Sequence, residues 1–151
     1  MNAKALAVAA TLADGSLAGS NIDRMVMQWP AYQRIGAEKW AEFSRHADLT
    51  WRAAALYPTE SIGGVILSVA TAVAVARSRR ARKARIASVA AAAFAAGGLA
   101  LTLKAAPNML SLRHADADPQ KAFDGFRFWS LFRGVCQVSA FVANVATLAL
   151  L

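Results

Sequence analysis

Residues 77–85 read RSRRARKAR, and the fold turns on what surrounds them. Six of the 17 basic residues stand in these nine positions: Arg77, Arg79, Arg80, Arg82, Lys83 and Arg85. No acid interrupts them. The other eleven nearly balance the nine acids, so the formal net charge of +8 is a local feature. Residues 61–76 on one side and 86–103 on the other contain no charge. A short basic loop between two apolar runs is the pattern of a cytoplasmic connection between membrane-spanning helices. A nucleic-acid binder would interleave its cations with aromatic side chains; this loop has none, and nucleic acid is excluded as a partner.

Working outward, the chain is 57% hydrophobic, above the usage of soluble domains, which is nearer 45–50%. Its mean hydropathy is +0.36. At 151 residues it is long enough for one domain, 1–151. A bilayer span takes about 20 mostly apolar residues. Residues 134–151 form a further charge-free run, and 5–22 qualify if Asp14 is accepted inside them. The apolar start resembles a short signal peptide, but Asp14 interrupts it, and we read it as a retained first helix. The expected fold is therefore all-α: a four-helix transmembrane bundle with spans near 4–24, 59–77, 86–106 and 127–150. Alanine and glycine abound within the spans, and such small residues let helices approach closely in lipid. Pro58 and Thr59 suit a helix start, and Pro107 suits a helix end or kink.

The basic loop orients the bundle. Loop 77–85 and both termini are expected in the cytoplasm, with loops 25–58 and 107–126 on the other side. In a bacterium this is a multi-pass inner-membrane protein. Three of the four tryptophans, Trp29, Trp40 and Trp51, fall in the first of those outer loops. Ile35, Trp40, Phe43 and Ala47 fit a short amphipathic helix whose Glu38, Lys39, Glu42 and Arg45 face water. That composition points to an interfacial anchor between spans one and two, or to a lid over a cavity.

Ionisable groups within spans are costly, so each is a site by default. Asp14 is the deepest, and Asn21, seven residues on, shares its face. Glu60 opens span two, where a carboxylate also suits the helix dipole. Asp23 and Arg24 mark the outer end of span one. On span four Trp129, Arg133, Gln137 and Asn144 recur at helical spacing and predict a polar seam facing the bundle. Arg133 lies over a turn inside the span and needs a partner, for which Asp14, Glu60 and Asp23 are the candidates. His46 and His114 have acids nearby, but their spacing defines no metal site, and no metal is assigned. Cys136 is the only cysteine, so neither an internal disulfide nor a thiolate cluster is possible. No phosphate loop, nucleophile elbow or CxxC is present.

The stretch LTLKAAPNMLSLRHADADPQKAFDGFRFWSLFRGVCQVSAFVANVATLAL, residues 101–150, adds a resemblance. Thr102 near the end of span three, Pro107, Asn108 and Leu110, an acidic stretch, then Trp129 with Arg133 four residues on, resemble the anthrone-oxygenase-like family. Its members are small four-span membrane proteins, long known only as a domain of unknown function. Before residue 101 only the layout matches: span, Pro30, polar helix, Pro58, span. Characterised members look like oxygenases that turn an anthrone into an anthraquinone without metal or flavin. The resemblance implies that Arg133 and Asn108 stabilise an enolate oxygen, that Trp129 stacks on the ring and that Thr102 and Asn21 complete the binding surface. It further implies that Asp14, Glu60 or His46 is the base, and that no cofactor takes part. Three functions stay open on the sequence: an oxygenase for an anthrone-like or quinol-like substrate, a non-catalytic accessory subunit or assembly factor packed on a membrane partner or a second copy, and a small transporter. A cavity lined by Asn108, Trp129 and Arg133 would favour the first.

Overall fold

Capping and proline chemistry set the elements. The computed structural model describes residues 2–78 and 82–151, which are helical with no strand among them. Helix α1 (Ala3–Asp23) begins where the Asn2 side chain accepts the Lys4 N–H at 3.0 Å. It runs through a widened π turn at Arg24–Gln28 into α2 (Trp29–Ile35). Pro30 accounts for the widening: its ring crowds the carbonyl four residues back, and it has no N–H to offer. Gly36, at φ 101°, takes the left-handed turn that ends α2. Helix α3 (Ala37–His46) follows.

The three remaining helices are longer than expected. Helix α4 (Trp51–Arg77) starts eight residues before the predicted span, capped by Thr50, and carries Pro58 in its interior rather than at its start. Helix α5 (Arg82–Leu110) passes through Pro107. In both, the residue after the proline donates to the carbonyl four back: Thr59 to Ala55 at 2.6 Å, Asn108 to Lys104 at 3.0 Å. Those side-chain bonds help the helices continue past the prolines. Helix α6 (Pro119–Ala149) starts at Pro119 because Asp118 accepts the N–H groups of Gln120 and Lys121 and proline suits the first helical position. The predicted start near 127 tracked the apolar window, not the cap. Of the basic stretch, Arg79, Arg80 and Ala81 lie outside the described residues, as does Met1.

Helices α1, α4, α5 and α6 form a closed ring in which α1 packs on α4 and α6, and α5 joins α4 to α6. Neighbours run antiparallel, since Asp14 meets Asn144 while Asn21 meets Gln137, and Gly98 meets Gln137 while Gly125 meets Asn108. The interior is small and polar: Asp14, Ser68, Thr71, Ser88, Ser130, Gln137 and Asn144 are buried. Large apolar side chains face outward, Leu12 at 71% exposure and Leu103 at 72%. That reverses the order of a soluble bundle. Trp51–Arg77, Arg82–Arg113 and Pro119–Ala149 are long and apolar enough to cross a membrane, as a membrane protein requires.

Helices α2 and α3 close one end of the ring. Trp29, Trp40, Leu112, Phe123 and Phe126 make an aromatic core there, with the Trp40 ring 5.2 Å from Phe123 and 5.7 Å from Phe126. The buried face of α3 is Ala37, Trp40, Ala41 and Ser44; Ile35 and Phe43, assigned above to the apolar face, are exposed. Trp29 and Trp40 thus point into the protein, and only Trp51 of the three lies outside, at 76% exposure. The contact with α6 is what turns Trp40 inward.

Candidate functional site

Two groups of buried polar residues lie along the bundle axis, and they differ in how they are satisfied. Toward the chain termini, Asp14 accepts Asn144 Nδ2 at 2.7 Å and Ser68 Oγ at 3.1 Å. Asn144 Nδ2 also reaches Ser68 Oγ at 3.0 Å. Gly64 allows this: a Cβ there would stand 2.6 Å from Asp14 Oδ1. These side chains bond to one another, with Asn144 Oδ1 left buried and without a partner.

Toward α2 and α3 the interior opens into a cavity of about 400 Å³ between α1, α4, α5 and α6. Its closed end is held by the π turn, which points Arg24 at Asp48, Nη2 to Oδ1, 3.0 Å. Asp48 also accepts Tyr57 Oη at 3.1 Å and Ser44 Oγ at 3.3 Å. Its charge reaches α2: the Tyr32 hydroxyl is pushed above its ordinary pKa by burial and then by Asp48. Arg133 enters the cavity from α6. Its Nε is buried without a hydrogen-bond partner, and its guanidinium lies 5.5 Å from the Phe126 ring centre. The Arg24 guanidinium lies 5.6 Å from the same ring. A ring between two cations relieves part of their repulsion through its negative face.

Of the residues singled out from sequence, Arg133, Glu60, Thr102 and Asn21 line this cavity together. Glu60 accepts Ser16 Oγ at 2.9 Å. The Thr102 hydroxyl donates to the Gly98 carbonyl at 3.0 Å. Asn21 donates to Gln137 and to the Leu17 carbonyl, the latter at 2.8 Å. The others lie elsewhere. Asn108 packs its amide on Gly125. Trp129 sits edge-on to Phe128 at 5.1 Å. On a helix of 3.6 residues per turn Trp129 falls roughly 60° from the Asn144 line, so it leaves the seam that Arg133 and Gln137 keep. Asp14 belongs to the group with Ser68 and Asn144, and His46 is exposed in the last turn of α3.

The expected partners of Arg133 are all engaged otherwise: Asp14 with Ser68 and Asn144, Glu60 with Ser16, Asp23 with Gln28 at 2.7 Å. Among the described residues no group of three or more His, Cys, Asp or Glu side chains is placed to hold a metal ion. Comparison with known proteins finds no matching family model, no similar curated protein and no similar solved structure.

Sequence reasoning missed Arg24, Asp48, Tyr57 and Phe126. Phe126 had a signal: it lies seven residues before Arg133, on the same face of α6. Asp48 had none, because its approach to Arg24 depends on how α3 folds back across the end of the ring. Chemically, the cavity offers largely apolar walls, the Arg24–Asp48 pair, the exposed Arg113, the Arg133 guanidinium with an unused Nε donor, and a half-buried carboxylate, Glu60. That set can hold a hydrophobic molecule by a negatively polarised oxygen.

Proposed function

We propose that the chain is a four-span integral membrane protein that oxygenates a hydrophobic, enolisable aromatic molecule with O₂ in this cavity. The observation that carries the reading is Arg133, a half-buried cation on the cavity wall whose Nε is buried without a hydrogen-bond partner. A guanidinium nitrogen buried without an acceptor is costly, and an anionic oxygen on a ligand would offset that cost. Helix α1 is the fourth span: it completes the ring with the three apolar helices, turns Leu12 and Ile22 outward, and satisfies Asp14 inside. The basic loop and both termini are then cytoplasmic, and the cavity lies in the opposite half of the bilayer.

The residue roles follow from position. Glu60, the only one of the three proposed bases on the cavity wall, takes the acidic C–H proton of an anthrone-type substrate. Arg133 holds the resulting enolate oxygen. The enolate gives its electrons to O₂ and forms a carbon–oxygen bond; the hydroperoxide, once protonated, loses water to leave a carbonyl. One O₂ is consumed, and one oxygen atom stays in the quinone while the other leaves as water. Phe126 and Tyr57 take the ring-contact role assigned above to Trp129, and Asn108 has no part.

The experiment is O₂ uptake by the detergent-purified protein with an anthrone-type substrate. Arg133→Met and Glu60→Gln are each expected to lower the rate a hundredfold or more, while Asn108→Ala and Trp129→Phe stay within a few-fold of wild type. No uptake by the folded wild type would defeat the oxygenase reading. In that event the paired group around Asp14, which makes half of the interior solid, favours the second reading, a non-catalytic accessory subunit.

A further inference from the structure

We infer that the cavity is loaded sideways from the bilayer, through a window between α4 and α5, by an amphiphile with one acidic oxygen group. The inference rests on the reading of the cavity as a small-molecule site, but not on any reaction there. Three walls are crossed by side-chain contacts, although Ser20 and Tyr57 on them are partly open to the surface. The α1–α6 seam is closed by Asn21 on Gln137 and by Met25 against Gly134. The α1–α4 seam is bridged by Ser16 and Glu60, and the end by Arg24, Asp48 and Tyr57. On the fourth side the lining residues are themselves on the outside of the bundle: Ala54, Pro58 and Ile62 of α4, Leu103 and Leu110 of α5 are all exposed. The cavity therefore reaches the surface between two helices apolar enough to cross a membrane.

The rim and the depth differ in chemistry, and the difference selects the ligand. Along α4 and the middle of α5 the rim is aliphatic, and the exposed Arg113 stands at its outer end; Pro58 also has no N–H for the Ala54 carbonyl. The depth holds Arg133. A molecule passing in from lipid keeps its apolar body against Ile62 and Leu103 and brings its acidic oxygen to the guanidinium. A water-borne anion would meet Arg113 at the outer end of the rim but would still lose its hydration in passing Ile62 and Leu103.

The test uses the full chain in phosphatidylcholine vesicles with a diazirine-bearing palmitic acid, its methyl ester and a diazirine-bearing butyric acid. After photolysis, label from the palmitic acid is expected on 54–62 and 99–110. Ala54→Trp, which plugs the rim at an exposed position, should lower that label tenfold or more, as should Arg133→Met. Ala106→Trp, on the α5 side, is the second plug if the first variant misfolds. The methyl ester should label these segments at least tenfold less than the acid. Label unchanged by both plugs, equal label from the ester, spread over all outward helix faces, or equally strong from butyric acid would overturn the inference, as would no label. Loss of O₂ uptake with the labelling pattern intact would defeat the oxygenase reading alone.

Discussion

The two halves of the bundle interior bury charge in opposite ways. Around Asp14 the acceptor meets two donors, and Gly64 is trimmed to fit the carboxylate. Around Arg133 the Nε donor has no acceptor, the Phe126 ring is its neighbour, and a cavity opens beside it. Each group sits among apolar helices in which an unmet polar group is expensive. The first half spends its polar atoms on holding α1, α4 and α6 together. Each half leaves one of these polar atoms buried and unpaired, Asn144 Oδ1 and Arg133 Nε, but only the second has a cavity beside it, and that contrast locates the site.

Substitutions can break this contrast. Asp14→Ala should have the largest effect, because it strands the buried Ser68 hydroxyl and removes one of the two bonds of Asn144 Nδ2; about 2–3 kcal/mol of stability should be lost in chemical unfolding in detergent. An unchanged midpoint would mean the Asp14 group is not structural. Gly64→Ala comes next, at about 1–2 kcal/mol, since the added Cβ crowds Asp14 Oδ1. Combined with Asp14→Ala it should cost less than alone, and strict additivity would deny the contact. Arg133→Met should leave stability within about 1 kcal/mol of wild type or raise it, since an unpaired cation is exchanged for an apolar chain of similar length. Unfolding of that variant comparable to Asp14→Ala would show both halves to be structural.

The smallest effect belongs to the exposed pair Lys39 and Glu42 on α3, 2.9 Å apart. The Lys39 hydrogen bond and charge hold the Glu42 carboxyl below its ordinary value of 4.5. A lowered acid contributes above its unfolded pKa and loses that contribution as pH falls through the folded one. Being fully in solvent, the pair is screened, so Lys39→Ala should leave the thermal midpoint unchanged at pH 7 and pH 3. A clear pH-dependent difference would show that α3 depends on its outer face as well as on Trp40.

Reading from sequence worked where the signal is local. The apolar runs marked α4, α5 and α6, and the spacing on span four brought Arg133 and Gln137 to the inside. It failed at helix ends governed by caps: Thr50 and Asp118 start α4 and α6 well ahead of their apolar windows. For the site, Arg133, Glu60, Thr102 and Asn21 meet at the cavity, whereas Asn108, Trp129, Asp14 and His46 were grouped with them by resemblance or charge and lie apart.

By itself the sequence determined the helices and their outward apolar faces, because hydropathy and the 3.6-residue repeat are properties of each segment alone. It also determined that Arg133 would be turned inward, since its neighbours on the same face are polar or small. Only the tertiary structure decided that Trp40 is a core residue, that Asp48 answers Arg24, and that Arg133 Nε has no hydrogen-bond acceptor among the described residues. Those facts depend on pairs far apart in the chain, and no local periodicity records which distant segment will stand opposite.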